Sequence, residues 1–187
     1  KNVTAVLYDV LNSNESEASI HVLPLVNSRH FHSVTNEDEL TWNFNQEASE
    51  QTVIIQPSTL VSTLLLFSSD GQYVTDEGKW IREVFFRVDA SREESHLDDV
   101  LQLGKFGISI APKERKKFYL LAVAGKSLSE AKSVFSSIHS KSIKTEDLYQ
   151  SELNRQRGLL TQFRDEYSDV TVEEWLKWLI LATDSFI

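Results

Sequence analysis

The sequence contains no cysteine, which excludes three kinds of chemistry at once. Disulfide bonds, zinc sites built on thiolates and thiol nucleophiles all need this residue. A chain without it fits a reducing compartment, and we expect a cytoplasmic location. Long apolar runs are also missing, since no stretch approaches the roughly 18 residues of a membrane-spanning helix. No membrane association is therefore expected.

Positive charge is scarce as well. The 187 residues include 19 Lys and Arg against 28 Asp and Glu, which gives a formal net charge of −9. Nucleic acid demands a basic footprint for its phosphates, so we expect no nucleic-acid partner. The one dense basic run, "KERKK", lies between two strand-like segments and is interpreted as a solvated turn. The remaining composition, 41% hydrophobic and 25% charged, is that of an ordinary globular protein.

Up to about Gly125 the apolar residues alternate with period two, which is typical of half-buried strands. Strands are predicted at "NVTAVLYDV", "LTWNFNQ", "QTVIIQP", "STLLLFSS", "KWIREVFFRV", "FGISIAP" and "KKFYLLAVA". The polar stretch "LNSNESEA" is predicted to be a hairpin turn with "SIHVLPLV" as its return strand, and "DEG" and Gly104 are predicted to be turns. About eight short strands without helices between them predict an antiparallel sandwich over residues 1–125.

After Gly125 the period changes to 3.6 residues. "SLSE" is a capping box that opens a helix, and a second helix is predicted from about Thr145 to Glu166 with an interruption at Gly158. These segments form a predicted helical linker over residues 126–170. A second capping box, "TVEE", opens a third helix over residues 171–187. Its apolar stripe contains Trp175, Leu176, Leu179, Ile180 and Phe186.

The stretch "LPLVNSRHFHSVT" is the first candidate site. His30 and His32 are two residues apart, so on a strand they share a face, as metal ligands must. No cysteine and no evident carboxylate pair completes a ligand set, and we expect no metal. Two interpretations stay open: a histidine paired with a glutamate in acid–base chemistry, or Arg29 and His32 bonded to backbone at a corner of the sandwich.

The second candidate site is the block "KWIREVFFRVDASREESHLDDVLQLGKFGISIAP". It interleaves aromatic and charged residues, among them Trp80, Arg82, Glu83, Asp98 and Asp99. Such a mixture suits sugars, because an aromatic face stacks on C–H groups while carboxylates accept hydroxyl hydrogens. The same residues equally suit a core with ion pairs at its rim, so both interpretations stay open.

Together these blocks resemble a known family. The run "YDVLNSNESEASIHVLPLVNSRHFHSVT" is similar to the N-terminal domain of bacterial and archaeal glycogen-debranching enzymes, which typically show "L-x-P-L-V-N-x-R-D-F-H". The second block fits the family's acidic loop and following strand. The tail "LILATDSFI" resembles the opening helix of the catalytic (α/α) barrel. His30 stands where the family usually has aspartate.

The resemblance implies an antiparallel β-supersandwich like that of galactose mutarotase, followed by a helical linker. Residues 171–187 would be the first helix of the barrel, so the chain would stop at the start of the catalytic domain. We therefore expect the accessory N-terminal domain of an amylo-α-1,6-glucosidase-like glycoside hydrolase that acts on α-1,6 branches of α-glucans. Its catalytic carboxylates would lie beyond Ile187, which leaves the fragment inactive alone and in need of no cofactor.

The resemblance also implies a set of residues that bind carbohydrate or face the barrel. The set consists of Arg29, His30, His32, Trp80, Arg82, Glu83, Asp98 and Asp99, with no catalytic residue among them. The expected partners are an α-glucan and the barrel domain. Two alternatives remain: an independent carbohydrate-binding module, and a mutarotase-like sugar epimerase that uses His30 or His32 with a glutamate.

The terminal helix suggests one more partner. Its apolar stripe is too broad for a helix whose outer side meets only water. Two tryptophans on such a helix favour burial against another surface. We therefore expect a homodimer through this helix.

Overall fold

The computed structural model describes residues 2–29, 33–58, 62–139, 145–162 and 175–181. Antiparallel strands dominate the first of two compact units, residues 1–139, and the second unit comprises residues 140–187. The strands are β1 (Val3–Leu11), β2 (Ala18–Val22), β3 (Leu25–Val26), β4 (Phe44–Ser49), β5 (Thr52–Pro57), β6 (Thr63–Ser68), β7 (Gln72–Phe85), β8 (Leu97–Ile110) and β9 (Arg115–Gly125). A 3₁₀ turn spans Glu37–Glu39, and the helices are α1 (Arg87–Ser91), α2 (Leu128–His139) and α3 (Thr145–Gln162).

Two sheets make up the first unit. Five strands form one sheet in the order β1-β9-β6-β5-β4. In the other sheet, β8 is central: β2 and β3 pair with one side of it and β7 pairs with it as well. All of these pairings are antiparallel, so the predicted fold class, mainly antiparallel β with C-terminal helices, is confirmed.

The core lies between the two sheets. Val53, Ile55 and Phe118 contribute to it from the five-stranded sheet, while Phe106 and Ile108 contribute from β8. These side chains are buried because alternate residues of each strand point to the same face, as the period-two pattern predicts. A further contribution comes from the stacked rings of β1 and β9, where the Tyr8 and Phe118 centroids are 4.8 Å apart.

The segment after β1 does not form the predicted hairpin. β1 pairs with β9 in one sheet and β2 pairs with β8 in the other, so the polar stretch between β1 and β2 crosses from sheet to sheet. The buried Asn12 holds this crossing, since its Nδ2 donates to the carbonyl oxygens of Ser16, Ile110 and Ala111. Its Oδ1 accepts from the N–H of Asn14.

Two predicted turns also prove wrong. Gly104 lies inside β8, where a Cβ would come 2.4 Å from the oxygen of Val74 and 2.6 Å from the hydroxyl of Tyr73. Glycine is needed there for the close approach of Tyr73, not for a turn. The "DEG" stretch lies within β7 as an irregularity in its pairing with β8, and Gly78 in it has a φ of 92°.

The capping box before α2 is confirmed with one change. The hydroxyl of Ser127 accepts from the N–H of Glu130 at 3.2 Å, while the Glu130 carboxylate accepts from the N–H of Lys126 at 2.7 Å. Within this helix, Ala131 is fully buried and the Phe135 ring lies 5.3 Å from that of Phe67 in β6. Helix α2 therefore covers part of the five-stranded sheet.

In the second unit, α3 continues through Gly158, so the predicted interruption is wrong. The second capping box lies outside the described residues, and residues 175–181 are helical. Trp175 and Trp178 are both 65% exposed there, with ring centroids 6.4 Å apart. The predicted division into sandwich, linker and barrel helix stays a prediction, as does a dimer through the terminal helix.

The packing around β8 predicts that Gly104→Ala destabilises the fold. A methyl group at this position overlaps backbone and ring atoms, and overpacking of this kind costs about 1–3 kcal/mol. Urea unfolding followed by tryptophan fluorescence measures the loss. The matched control is Gly107→Ala in the same strand, where the new Cβ meets only the His21 ring at 3.8 Å. Equal stability of the two variants would contradict this account of Gly104.

Candidate functional site

The start of β8 carries two consecutive buried carboxylates, and the first of them is Asp98, which is 2% exposed. Its Oδ1 accepts from Asn27 Nδ2 at 3.0 Å and from the backbone N–H of Thr35 at 2.7 Å. Its Oδ2 accepts from Arg29 Nε at 2.6 Å, so this charge has a cationic partner. Asn27 Nδ2 also donates to the carbonyl of Asp99, and Asn27 Oδ1 accepts from the Thr35 hydroxyl.

The second carboxylate, Asp99, is 7% exposed and binds a different pair of segments. Its Oδ2 accepts from the N–H of Glu37 at 2.9 Å, and its Oδ1 accepts from the N–H of Glu83 at 2.9 Å. The N–H of Glu37 is the largest cause of a lowered pKa for Asp99, and burial opposes it. The Glu83 N–H and the charge of Arg82 lower this pKa further. The Asp99 carboxylate therefore stays ionised and acts as a hydrogen-bond acceptor.

A bulge in β7 delivers one of these donors. The pairing of β7 with β8 shifts between Ile81 and Val84, and Glu83 within the shift has a φ of 54°. This left-handed conformation costs a non-glycine residue roughly 1–2 kcal/mol. The bulge turns the Glu83 N–H toward Asp99, so the hydrogen bond offsets part of that cost.

Arg82 binds the acidic side chains of the 3₁₀ turn. Its guanidinium donates to both carboxylate oxygens of Asp38, at 2.9 and 3.1 Å, and to Glu37 Oε2 at 2.8 Å. The hydrogen bond to Asp38, followed by that to Glu37, raises the pKa of Arg82. The Arg82 side chain is 54% exposed, so solvent screens these ion pairs. They fix the position of the 3₁₀ turn more than they stabilise the fold.

The structure brings five of the predicted site residues together: Arg29, Arg82, Glu83, Asp98 and Asp99. In addition to binding Asp98, the Arg29 guanidinium donates to the backbone oxygen of Ser33, as the corner interpretation proposed. Trp80 does not join them, because it packs against the core opposite Leu101. His30 and His32 lie outside the described residues, so the metal and epimerase hypotheses stay untested.

Sequence reasoning missed the partners of these residues, namely Asn27, Thr35, Glu37 and Asp38. A signal existed for the 3₁₀ turn, since Asn36 followed by three acidic residues is a typical helix start, and the Asn36 side chain does accept from the N–H of Asp38. No sequence signal announces a backbone N–H as the partner of a carboxylate. That part of the network follows only from the folded structure.

A groove of about 220 Å³ lies beside this network, at one end of the sandwich. Apolar side chains line most of it, with polar groups among them. The lining includes Asn27, Ser28, Phe44, Pro57, Ser62 and Thr63.

The connection from β7 to β8 carries an exposed apolar patch, which we call the hairpin tip. Phe85 pairs with Leu97 across the two strands, and these side chains are 59% and 45% exposed. Phe86 and Val88 continue the patch at 37% and 59% exposure, and the His96 ring packs edge-on to Phe85. The hairpin tip directly precedes Asp98 in the chain.

The fold and the network define an antiparallel two-sheet domain whose buried carboxylates fasten its loops. Residues 1–117 match the family described as glycogen debranching enzyme N terminal, and this range contains every predicted site residue. The chain belongs to that family, so the resemblance seen in the sequence is confirmed. A comparison with curated proteins finds no match. Among the described residues, no helix is long and apolar enough to cross a membrane.

The network predicts a stability loss for Asp99→Asn. An amide offers only one acceptor oxygen to two N–H donors, and a buried donor without a partner costs about 1–3 kcal/mol. The folded pKa of Asp99 lies below its ordinary 3.8, so the carboxylate stabilises the fold at neutral pH and loses this effect as pH falls below about 4. The difference between wild type and variant should therefore narrow in acid.

Thermal unfolding between pH 7 and pH 3 tests this. The matched control is Asp38→Asn, whose side chain is 68% exposed and should change stability little at any pH. A pH-independent difference for Asp99→Asn would contradict the assigned role of its charge.

Proposed function

We propose that the chain is the accessory sandwich domain of a debranching-type glycoside hydrolase, and that it positions the catalytic domain without reacting with the glucan. The observation that carries the proposal is that both buried carboxylates already have hydrogen-bond partners within the domain. Asp98 and Asp99 accept hydrogen bonds on all four of their oxygens from groups within the domain. A general acid for glycoside hydrolysis must be protonated at neutral pH, whereas the pKa of Asp99 is lowered.

The hairpin tip supports the positioning role. Contiguous exposed apolar side chains are a typical sign of an interaction surface, and Phe85, Phe86, Val88 and Leu97 supply them. The network fixes this tip, because Asp99 binds the β7 bulge two residues before Phe85 and Asp98 binds the loop after β3. A rigid apolar tip suits docking to a second domain better than a mobile one, since less ordering is needed on binding. We assign the catalytic α/α barrel as its partner.

A mixing experiment tests this assignment. The chain alone should release no glucose from a branched dextrin. The separately prepared barrel of the same enzyme should bind the chain, and Phe85→Asp should weaken that binding by placing a charge in the apolar contact. Isothermal titration calorimetry measures the binding, and a glucose assay measures the activity.

The matched control is Val74→Asp, which changes an apolar residue of similar exposure, 53% against 59%, near the other end of β7. Equal binding by the two variants would contradict docking through the hairpin tip. Glucose release by the chain alone, abolished in a carboxylate variant of this chain, would contradict the accessory role.

The groove favours a second candidate function, glucan binding by the domain itself. Phe44 offers an aromatic side chain, while Asn27, Ser28 and Ser62 offer an amide and hydroxyls for sugar hydroxyl groups. Such a site would hold an α-glucan chain beside the catalytic domain. It would also be compatible with an independent carbohydrate-binding module.

Affinity electrophoresis in gels that contain glycogen tests the groove. The chain should be retarded, and Ser62→Arg should remove the retardation because the longer side chain fills the groove at an exposed lining position. Ser16→Arg is the matched control, as it adds the same charge at an exposed position in the stretch between β1 and β2. Unretarded wild type, or equal retardation of both variants, would contradict glucan binding in the groove.

A further inference from the structure

Strand β1 lies at the edge of the five-stranded sheet, and two hydrogen bonds show which of its backbone groups face outward. The oxygen of Asn2 accepts from the N–H of Ala124, and the N–H of Asn12 donates to the oxygen of Glu114, both at 2.9 Å. Residues in an antiparallel ladder alternate between those that bond to the neighbouring strand and those that do not. The even-numbered residues of β1 therefore bond to β9. The odd-numbered residues turn N–H and C=O to the open edge.

The other sheet edges in the described part of the chain carry features that discourage strand addition. At the β4 edge, the strand is only six residues long, and its Gln46 side chain donates to the oxygens of Asp76 and Leu103 in the other sheet. Pro24 separates β2 from β3 on a second edge. Strand β7, on the remaining edge, has two shifts in its register. Proline, bulges and short or covered strands are common ways to protect an edge.

Strand β1 has none of these features over its described length. It runs for nine residues in unbroken register with β9, and it contains no proline and no lysine. Its side chains add apolar surface, since Val6, Leu7 and Leu11 are 45%, 38% and 63% exposed. A long, regular, apolar edge of this kind is a site for pairing with another strand.

We propose that β1 pairs antiparallel with β1 of a second copy of this chain, across a two-fold axis at Leu7. The five outward residues, numbers 3, 5, 7, 9 and 11, are centred on residue 7, so this register pairs all of them. Leu7 then faces Leu7 of the second copy, Ala5 faces Asp9, and Val3 faces Leu11. An isologous contact of this kind closes as a dimer, and it joins two five-stranded sheets into one of ten strands.

Charge selects the register. Asp9 is the one charged residue within β1, and it pairs with Arg115 of its own chain at 2.7 Å. Centring the contact on Leu7 leaves the two copies of Asp9 about 14 Å apart along the strand direction. Centring it on Asp9 instead would place like charges directly opposite, which destabilises a strand pair. The edge is thus complementary to itself in hydrogen bonds, apolar side chains and charge. The apolar stripe of the terminal helix lacks this specificity, because an exposed helical face can pack against any apolar surface.

The absence of cysteine makes the register directly testable. Leu7→Cys introduces a single thiol in each chain, and the proposed contact brings the two Cα atoms to about 5.5 Å. The two Cβ atoms of such a hydrogen-bonded pair lie about 5.5 Å apart, which is beyond the roughly 3.5–4.5 Å of a disulfide bond but within reach of a short bis-maleimide cross-linker. This cross-linker should therefore convert most of the Leu7→Cys protein to a covalent dimer on a denaturing gel.

Leu11→Cys is the matched control on the same strand. Leu11 is more exposed than Leu7, but the proposed register separates its two copies by about 27 Å. Little covalent dimer should form from this variant with the same cross-linker. Equal yields from the two variants, or a higher yield from Leu11→Cys, would overturn the proposal.

Sedimentation of the unmodified chain gives an independent readout. At 0.15 M salt, where charges are screened beyond about 8 Å, the chain should form a reversible dimer at micromolar concentration. Leu7→Pro removes an N–H that points outward and not one that bonds to β9, so it should give a folded monomer, while Leu7→Thr keeps that N–H and should stay dimeric.

If circular dichroism shows that Leu7→Pro fails to fold, Leu7→Lys replaces it. This variant keeps the backbone groups but places two like charges opposite each other at the axis, so it should also be monomeric. A monomeric unmodified chain would overturn the proposal. A dimer lost in Trp175→Glu but kept in Leu7→Lys would also overturn it and place the contact on the terminal helix.

Discussion

A carboxylate can be buried in a protein only where hydrogen-bond donors replace its water, and this fold buries two of them in succession. Asp98 and Asp99 stand side by side at the start of β8, and consecutive residues of a strand point to opposite faces. Asp98 therefore binds the loop after β3, and Asp99 binds the 3₁₀ turn and the β7 bulge. The loop after β3, the 3₁₀ turn that follows it and the distant bulge of β7 are thus fixed by one short piece of strand.

This arrangement explains the structural role of Asn27 and Arg29 in the stretch "LPLVNSRHFHSVT", which resembles the family signature. Arg29 belongs to the most characteristic stretch of the sequence, and its guanidinium neutralises a buried charge on the central strand of the second sheet. Asn27 from the same stretch bonds to both Asp98 and Asp99. These contacts hold the loop after β3 in a fixed position relative to the central strand.

The alternation of apolar and polar residues was sufficient to predict some strands but not others, because it depends on how deeply each strand is buried. Strand β5 alternates between half-buried and buried residues, and β9 alternates between buried and less buried residues over residues 121–125, so their period is visible in the sequence. Strand β8 is buried on most of its length and contains Gly104 and Gly107, so it shows neither alternation nor an uninterrupted strand composition. The partner of each strand is a non-local property. For that reason the sequence suggested a hairpin where Asn12 instead anchors a crossing between sheets.

The candidate site shows the same limit. Arg29, Arg82, Asp98 and Asp99 were recognisable from residue type and from the family resemblance, because charged residues in an otherwise apolar context stand out. Their mutual contacts were not recognisable, because both hydrogen-bond donors described for Asp99 are backbone N–H groups, which every residue except proline possesses. One of those groups is aimed by the unusual backbone conformation of Glu83, which no preference of glutamate predicts.

The pairing of β1 with β9 has a consequence for how the chain is made. The first strand finds its in-sheet partner only at Arg115–Gly125, after about one hundred further residues. At roughly 5–20 residues per second of synthesis, β1 waits on the order of 5–20 s outside the ribosome before that partner exists. During this interval an apolar nine-residue strand has both of its edges open, and neighbouring nascent chains on one messenger carry the same strand. Slow translation before β9, or a shortage of chaperones, should therefore lower the yield of folded protein without any change in the stability of the finished fold.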